Sequence, residues 1–270
     1  MSDGYRLPLR RWGADERPRA LVLALHGFND YSNAFATLGP YLATQSVLTF
    51  AYDQRGFGTT TQRGLWGGKK RLTADLKTLT ELLRERYPAP PCYCSGRAWA
   101  ARWSWSPRHR RIRDKWVLKV AAHTLPSLEL TGSGLDIRPS DNDDMLRAFR
   151  ADPLVIKETR VDALWGITNL MDLAMVGAVR LPGPTLLLYG EHGKIISDGA
   201  FCALLDRIPV NRQDIRILLY REGWHMLTRD LQGKRVMADI AVWLQSRDGY
   251  SPSGEEVRAG SRRLECFCQS

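Results

Sequence analysis

Three short stretches of this chain carry groups able to move a proton or polarise a carbonyl, and each directly follows an apolar run. His26-Gly27-Phe28 follows Leu21–Leu25, Asp53-Gln54-Arg55-Gly56-Phe57-Gly58 follows Val47–Tyr52, and Gly223-Trp224-His225-Met226 follows Asp214–Tyr220. A histidine titrates near neutrality and is the commonest general base. Taken singly, each stretch also has an ordinary meaning: a loop histidine at His225, a tight turn at His26-Gly27, and a loop fixed by hydrogen bonds at Asp53 and Arg55. Their ordered recurrence at the ends of apolar runs is the informative feature. A fourth turn, Gly190-Glu191-His192-Gly193, follows the apolar Thr185–Tyr189. Cysteine chemistry looks incidental. Five cysteines in a chain of 270 residues do not suggest a disulfide framework, and the Cys92/Cys94 and Cys266/Cys268 pairs lack a histidine at zinc spacing. No metal and no cofactor is expected.

The elements that must position these turns follow from periodicity. Leu21–Leu25 is a continuous apolar run ended by a turn, which suits a strand buried on both faces of a parallel sheet. Val47–Tyr52, Pro184–Tyr189 and Asp214–Tyr220 read as further strands, and Gly4–Trp12 as an edge strand or hairpin. Leu72, Leu76, Leu79, Leu82 and Leu83 recur at helical spacing, predicting a helix over Arg71–Arg86 that Tyr87-Pro88 stops. Helices are also predicted from Phe35 to Leu42, over Val117–Leu125, Asp143–Phe149, Arg160–Val176 and Gly199–Arg207, and as one long amphipathic helix over Thr228–Leu244. The Arg-rich polar tail from Ser246 is expected to be disordered.

Strand, His-Gly turn, strand, Asp-x-Arg-Gly-x-Gly turn and late strand-His turn, in that order, resemble the α/β-hydrolases. In wording they are most similar to the monoacylglycerol lipase and lysophospholipase group, also described as serine aminopeptidase-like. The resemblance covers about residues 3–91 and 116–247. It implies a mostly parallel sheet flanked by helices, with core segments 1–91 and 181–247, a helical cap over 117–180, and a tail over 248–270. It further implies His225 as the general base and the backbone N–H of Phe28, in the turn formed with His26 and Gly27, as an oxyanion donor. Gly27 would permit close backbone approach and unusual dihedrals. Gly193 stands at the position of the family's acid, where a glycine can neither orient nor stabilise an imidazolium. Glu191 and Asp198 are nearby carboxylates offset from that place, read as solvated surface groups. The implied substrates are acyl esters or lipids such as monoacylglycerols and lysophospholipids, hydrolysed through an acyl-enzyme without metal or cofactor.

The nucleophile is missing. After Pro88–Pro91 the family runs a buried strand into Gly-x-Ser-x-Gly, the strained elbow that presents the serine. This chain reads Cys92-Tyr93-Cys94-Ser95-Gly96-Arg97-Ala98-Trp99-Ala100-Ala101-Arg102-Trp103, and Gly-x-Ser-x-Gly occurs nowhere in it. Neither Ser95 nor Cys94 has the flanking glycines. Only 24 residues separate Pro91 from Trp116, where a strand, elbow, helix and strand need on the order of 40–50. Segment 92–116 therefore replaces the elbow region with something anomalous, and the central strand-elbow-helix region is expected to be degenerate. Allowed codons for Ser95–Trp103, read from the third base of the first, spell Gly-Glu-Ser-Met-Gly-Gly-Ala-Val. A shifted reading frame in or near Pro91–Asp114 accounts for this, and for the local Arg and Trp excess as GC-rich DNA read out of frame.

The net charge of +10 invites a nucleic-acid reading. Ser95–Trp116 alone holds six arginines and one lysine against one aspartate, and without it the excess falls to +4. The excess is local, so no nucleic-acid partner is expected. The rival is a genuine Trp/Arg patch contacting a membrane surface or nucleic acid. Hydrophobic content of 44% and charged content of 25% are those of an ordinary globular protein. No signal peptide or membrane-spanning run is visible, so the expectation is a cytoplasmic protein, either a serine hydrolase impaired by its missing residues or a non-catalytic relic that binds acyl ligands.

Overall fold

The computed structural model describes residues 1, 3–96, 108–131, 138–193, 195–209, 212–258 and 260–269. They fall into two compact units. One takes the described residues up to 96 with 108–131 and 149–170, and the other takes 138–148 and 171–269.

The first unit is built on a four-stranded sheet in the order β1-β3-β2-β4, with β1 Leu9–Trp12, β2 Ala20–Leu25, β3 Val47–Tyr52 and β4 Cys92–Gly96. β2 and β3 are the two continuous apolar runs. Their parallel pairing sets Ala20 opposite Val47 and Leu25 opposite Tyr52. The exposed β1 closes one edge antiparallel to β3. Helix α1 (Leu38–Ala43) packs so closely on β1 that a Cβ on Gly39 would lie 2.4 Å from the Trp12 ring. The predicted leucine stripe forms α2 (Lys69–Arg86), which adds Leu83, Leu76 and Leu79 to the core of Leu21, Leu23, Leu48, Phe50 and Tyr52.

The second unit has a three-stranded sheet, β7 (Thr185–Gly190), β8 (Ile215–Tyr220) and β9 (Glu256–Val257), with β7 parallel and β9 antiparallel to β8. Around it lie α6 (Asp198–Leu205), α7 (Gly233–Gln245) and α8 (Arg262–Gln269). The stretch expected to be the cap is mainly helical: α3 (Arg108–Thr124), α4 (Asp143–Ala151) and α5 (Val161–Gly177). It also holds a small antiparallel pair, β5 (Glu129–Thr131) with β6 (Glu158–Arg160), separate from both larger sheets. Its residues are shared between the two units.

Three expectations are corrected. The tail is structured: Leu264 packs into the cluster of Tyr189, Phe201 and Leu219 with Phe267 against it, and Arg216 holds Glu256 (Nε–Oε1 2.9 Å). A polar, Arg-rich composition hid these few apolar anchors. Cys202 of α6 and Cys268 of α8 form a disulfide across 66 residues, a pairing that spacing could not reveal. The single helix over Thr228–Leu244 is instead a 3-10 turn at Leu227–Arg229 followed by α7, because Asp230 leaves helical geometry at ψ 164°. Its carboxylate turns to bond groups outside the helix.

Arg55 explains the Asp-x-Arg motif in structural terms. Its guanidinium is buried and pairs with buried Asp75 (Nη2–Oδ1 2.8 Å) and with half-exposed Asp3 (Nη1–Oδ2 2.6 Å), under the Tyr5 ring. Removing one partner of a buried pair strands the other charge. Asp75→Asn is expected to destabilise the protein by about 3–5 kcal/mol, and Asp3→Asn by far less, as read from urea midpoints.

Candidate active site

The first cluster sits where β2 ends. His26 is fully buried. Its Nε2 accepts the Gln54 N–H at 2.9 Å, so the ring proton is on Nδ1 and donates to the Gly27 carbonyl at 2.8 Å. The Gln54 side chain returns a bond to the His26 carbonyl at 2.8 Å. His26 is thus a neutral tie between the turns after β2 and β3, and its ring nitrogens are engaged. Gly27, expected to take unusual dihedrals, has no positive φ, and the left-handed residue of this turn is Asn29, at φ 64°. Asn29 can carry it because its side chain bonds Thr159 (2.7 Å) and its carbonyl accepts the Ile156 N–H (3.0 Å). Phe28 meets Phe57 and Trp66 edge to face, and Gly166 of α5 lies close enough to Trp66 that a Cβ would come within 2.2 Å of its ring.

Asp53 fixes the neighbouring loop. It accepts bonds from the Ser32 N–H and from the N–H and hydroxyl of Thr59, all at 2.9 Å. Burial pushes its pKa up, but these donors outweigh burial and hold the carboxyl below its ordinary value.

The second cluster joins the turns after β7 and β8. Gly190 and Gly223 meet backbone to backbone: a Cβ on Gly190 would lie 2.4 Å from the Gly223 carbonyl carbon. His192 N–H donates to the Gly223 carbonyl (2.9 Å) and Glu191 N–H to the Tyr220 carbonyl (3.0 Å). This brings Gly193 against His225, with the Cβ position of Gly193 3.5 Å from the His225 nitrogen and 3.7 Å from its Cα. A side chain at 193 would start beside the histidine, but glycine offers none.

The two carboxylates read as solvated are engaged. Asp198 accepts from the Tyr189 hydroxyl at 2.9 Å, and Glu191 pairs with Arg263 of α8 at 3.2 Å. Burial, with Asp198 beside it, keeps the Tyr189 hydroxyl well above the ordinary tyrosine range.

Sequence reasoning missed the brace on the His225 turn. Buried Asp230 accepts the Trp224 N–H at 2.8 Å and the Ser140 hydroxyl at 2.6 Å, while the Met226 N–H donates to the Pro139 carbonyl at 3.0 Å. An aspartate inside an apolar pattern, where a charge has no business in a helix stripe, was the only available signal.

The two residues weighed as stand-ins for the nucleophile, Ser95 and Cys94, lie in β4. Ser95 pairs with Ala24 inside the sheet, and exposed Cys94 has its sulfur 3.9 Å from the Thr80 hydroxyl. Residues 97–107 of the anomalous segment lie outside the described residues. His26, Gly27 and Phe28 share the first unit, and Gly193 and His225 the second. Among the described residues no His, Cys, Asp and Glu gather as a metal site, and no helix is long and apolar enough to cross a membrane.

The profile of the family described as "Serine aminopeptidase, S33" matches in two blocks, residues 16–111 and 100–232. The monoacylglycerol lipase of Mycolicibacterium smegmatis is 22% identical over 90% of this chain and 94% of its own, and the monoglyceride lipase of Homo sapiens 23% identical over 91% and 89%. In structure the chain is similar to Paleococcus ferrophilus monoacylglycerol lipase (TM-score 0.72, 20% identity, 90% of this chain and 100% of that one). It is also similar to a soluble variant of the Saccharomyces cerevisiae monoglyceride lipase (TM-score 0.75, 16% identity, 92% and 94%). These likenesses make the fold that of the α/β-hydrolases.

Two predictions follow from the geometry. Asp230→Ala strands the buried Ser140 hydroxyl and the half-buried Trp224 N–H, at a cost of about 1–3 kcal/mol, and hydrogen exchange should quicken at Trp224 and Met226 while the β2–β3 amides stay protected. Asp53, with its lowered folded pKa, stabilises the protein above the unfolded carboxylate value of about 3.9, and this contribution is lost as pH falls through the folded pKa. Asp53→Asn should lower the melting temperature at pH 7 and flatten its decline below about pH 4, measured by thermal melts across pH.

Proposed function

The chain belongs to the serine aminopeptidase S33 family of α/β-hydrolases, and from that premise we propose a protein built as a carboxylic-ester hydrolase but lacking, as translated, the groups that would turn an ester over. The substrates its architecture suits are monoacylglycerols, the esters named for its relatives, or lysophospholipids. His225 takes the role of general base, and the Phe28 N–H that of an oxyanion donor. In the complete reaction a serine oxygen attacks the ester carbonyl, His225 takes the serine proton and returns it to the leaving alcohol, and water then releases the acid. The observation that carries the reading is the pairing of the two turns that sets Gly193 against His225. The acid's place is kept while the acid is gone.

The missing groups decide the outcome for this polypeptide. Gly193 brings no carboxylate to orient the imidazole or to stabilise its charge. Without a nucleophile there is no acyl-enzyme, and the second oxyanion N–H, supplied by the residue after the serine, goes with it. What remains is an acyl-ligand scaffold. Its aromatic cluster of Phe28, Phe57 and Trp66 supports binding of an acyl chain. The exposed Trp116, Val117 and Val120 of α3, beside Lys115 and Lys119, support peripheral contact with a lipid surface. The expected setting is the cytoplasm.

The chain as translated is expected to show no labelling by a fluorophosphonate and no esterase activity above background on p-nitrophenyl acyl esters. Gly193→Asp alone should not change this. Turnover abolished by His225→Ala would overturn the reading and direct attention to Ser95 and Cys94.

A further inference from the structure

We infer that the coding DNA for Pro91–Trp103 holds, one base out of the translated frame, a buried apolar strand and a serine-bearing elbow, so that the nucleophile absent from this chain belongs at the C-terminal end of β4. The inference rests on the ester-hydrolase reading above and adds to it the place and identity of the lost group.

The first support is a misfit in the sheet. β4 runs parallel to β2 over its whole length, from Leu21 opposite Cys92 to Leu25 opposite Gly96, and the Leu21 N–H is anchored on the Pro91 carbonyl at 2.8 Å. A parallel strand at this place in an α/β fold calls for a run of Val, Ile and Leu. β2 and β3 answer that demand, while β4 reads Cys-Tyr-Cys-Ser-Gly and is half-buried or exposed at every position.

The genetic code supplies the missing run with almost no freedom of choice. Cysteine is coded by TGT or TGC and tyrosine by TAT or TAC. The last base of Cys92 with the first two of Tyr93 gives CTA or TTA, and the last of Tyr93 with the first two of Cys94 gives CTG or TTG. All of these code for leucine. The last base of Pro91 with the first two of Cys92 gives Val, Leu or Met whichever base it is. The last of Cys94 with a TC-type serine codon gives Leu or Phe. The displaced frame therefore reads as an unbroken apolar strand where β4 lies. Further on, the last base of Trp99 with the first two of Ala100 is GGC, so the glycine closing the elbow is also forced. Gly-x-Ser-x-Gly is then complete if the Ser95 codon ends in G and the Arg97 codon ends in A.

Register adds a third support. Gly96 sits level with Leu25, the last residue before His26-Gly27-Phe28. An elbow beginning there brings its serine out at the same end of the sheet as the Phe28 N–H, the arrangement an oxyanion site needs. The family profile also breaks here, its two blocks both claiming residues 100–111.

The test starts with the gene. Independent sequencing of genomic DNA and transcript across these codons is expected to show Ser95 ending in G and Arg97 ending in A. Any other third base at either codon removes the serine or its first glycine from the displaced frame and overturns the inference, leaving the family assignment untouched. With the codons as expected, a chain translated in the displaced frame across this segment and carrying Gly193→Asp, with folding checked by circular dichroism, is exposed to a fluorophosphonate. The serine oxygen bonds to phosphorus, fluoride leaves, and the hydroxyl proton passes to His225. Labelling that maps to the elbow serine, absent from the present chain, upholds the inference. A folded but unlabelled product denies that serine a nucleophile's role and takes the ester-hydrolase reading down with it. If the product does not fold, the codons alone decide.

Discussion

Strand ends in this fold leave backbone groups buried where the ladder stops, and those groups must be paired by something other than the ladder. The structure meets that demand with side chains sent across from neighbouring turns. After β2, His26 and Gln54 exchange two hydrogen bonds, and Asp53 collects three donors from Ser32 and Thr59. After β8, Asp230 takes the Trp224 N–H. An unmade bond at any of these points costs more than a made one contributes, so the turns hold fixed shapes. Fixed turns at strand ends are what a catalytic constellation in this fold requires.

Close backbone approach is the second device. Gly190 and Gly223 touch where any Cβ would collide with the opposite turn, and this contact holds Gly193 against His225. A Cβ on Gly193 would meet the Gly190 carbonyl oxygen at 2.9 Å, so the turn has settled into a shape that an aspartate would have to adjust slightly. The surrounding carboxylates have other employment: Glu191 is held by Arg263 and Asp198 by Tyr189.

The C-terminal segment shows how few contacts organise a polar tail. β9 extends the second sheet by one short pairing, Leu264 and Phe267 cover the Tyr189–Phe201 stack, and Arg263 reaches the Leu219 carbonyl at 2.5 Å. Through Arg263 this segment also touches the turn that carries Gly193, so the tail is part of the scaffold of the candidate site.

The sequence alone determined the strands, the leucine-striped α2, the parallel core and the family, because continuous apolar runs and helical periodicity are local and the turn motifs sit at their ends. It also determined that Gly-x-Ser-x-Gly is absent. Tertiary structure decided what distance along the chain conceals. His26 is a buried tie and not a free base, which depends on Gln54, 28 residues away. Asp230 breaks a helix that the apolar pattern continued, because Ser140 and the Trp224 N–H compete successfully for its carboxylate. The left-handed turn residue is Asn29 and not Gly27, because partners 127 and 130 residues further on hold it there. Composition spoke for a disordered tail, and a handful of apolar side chains finding the β8 edge and α6 overruled it. Local pattern fixes which residues can be buried; only the assembled chain fixes which polar group each buried group must answer.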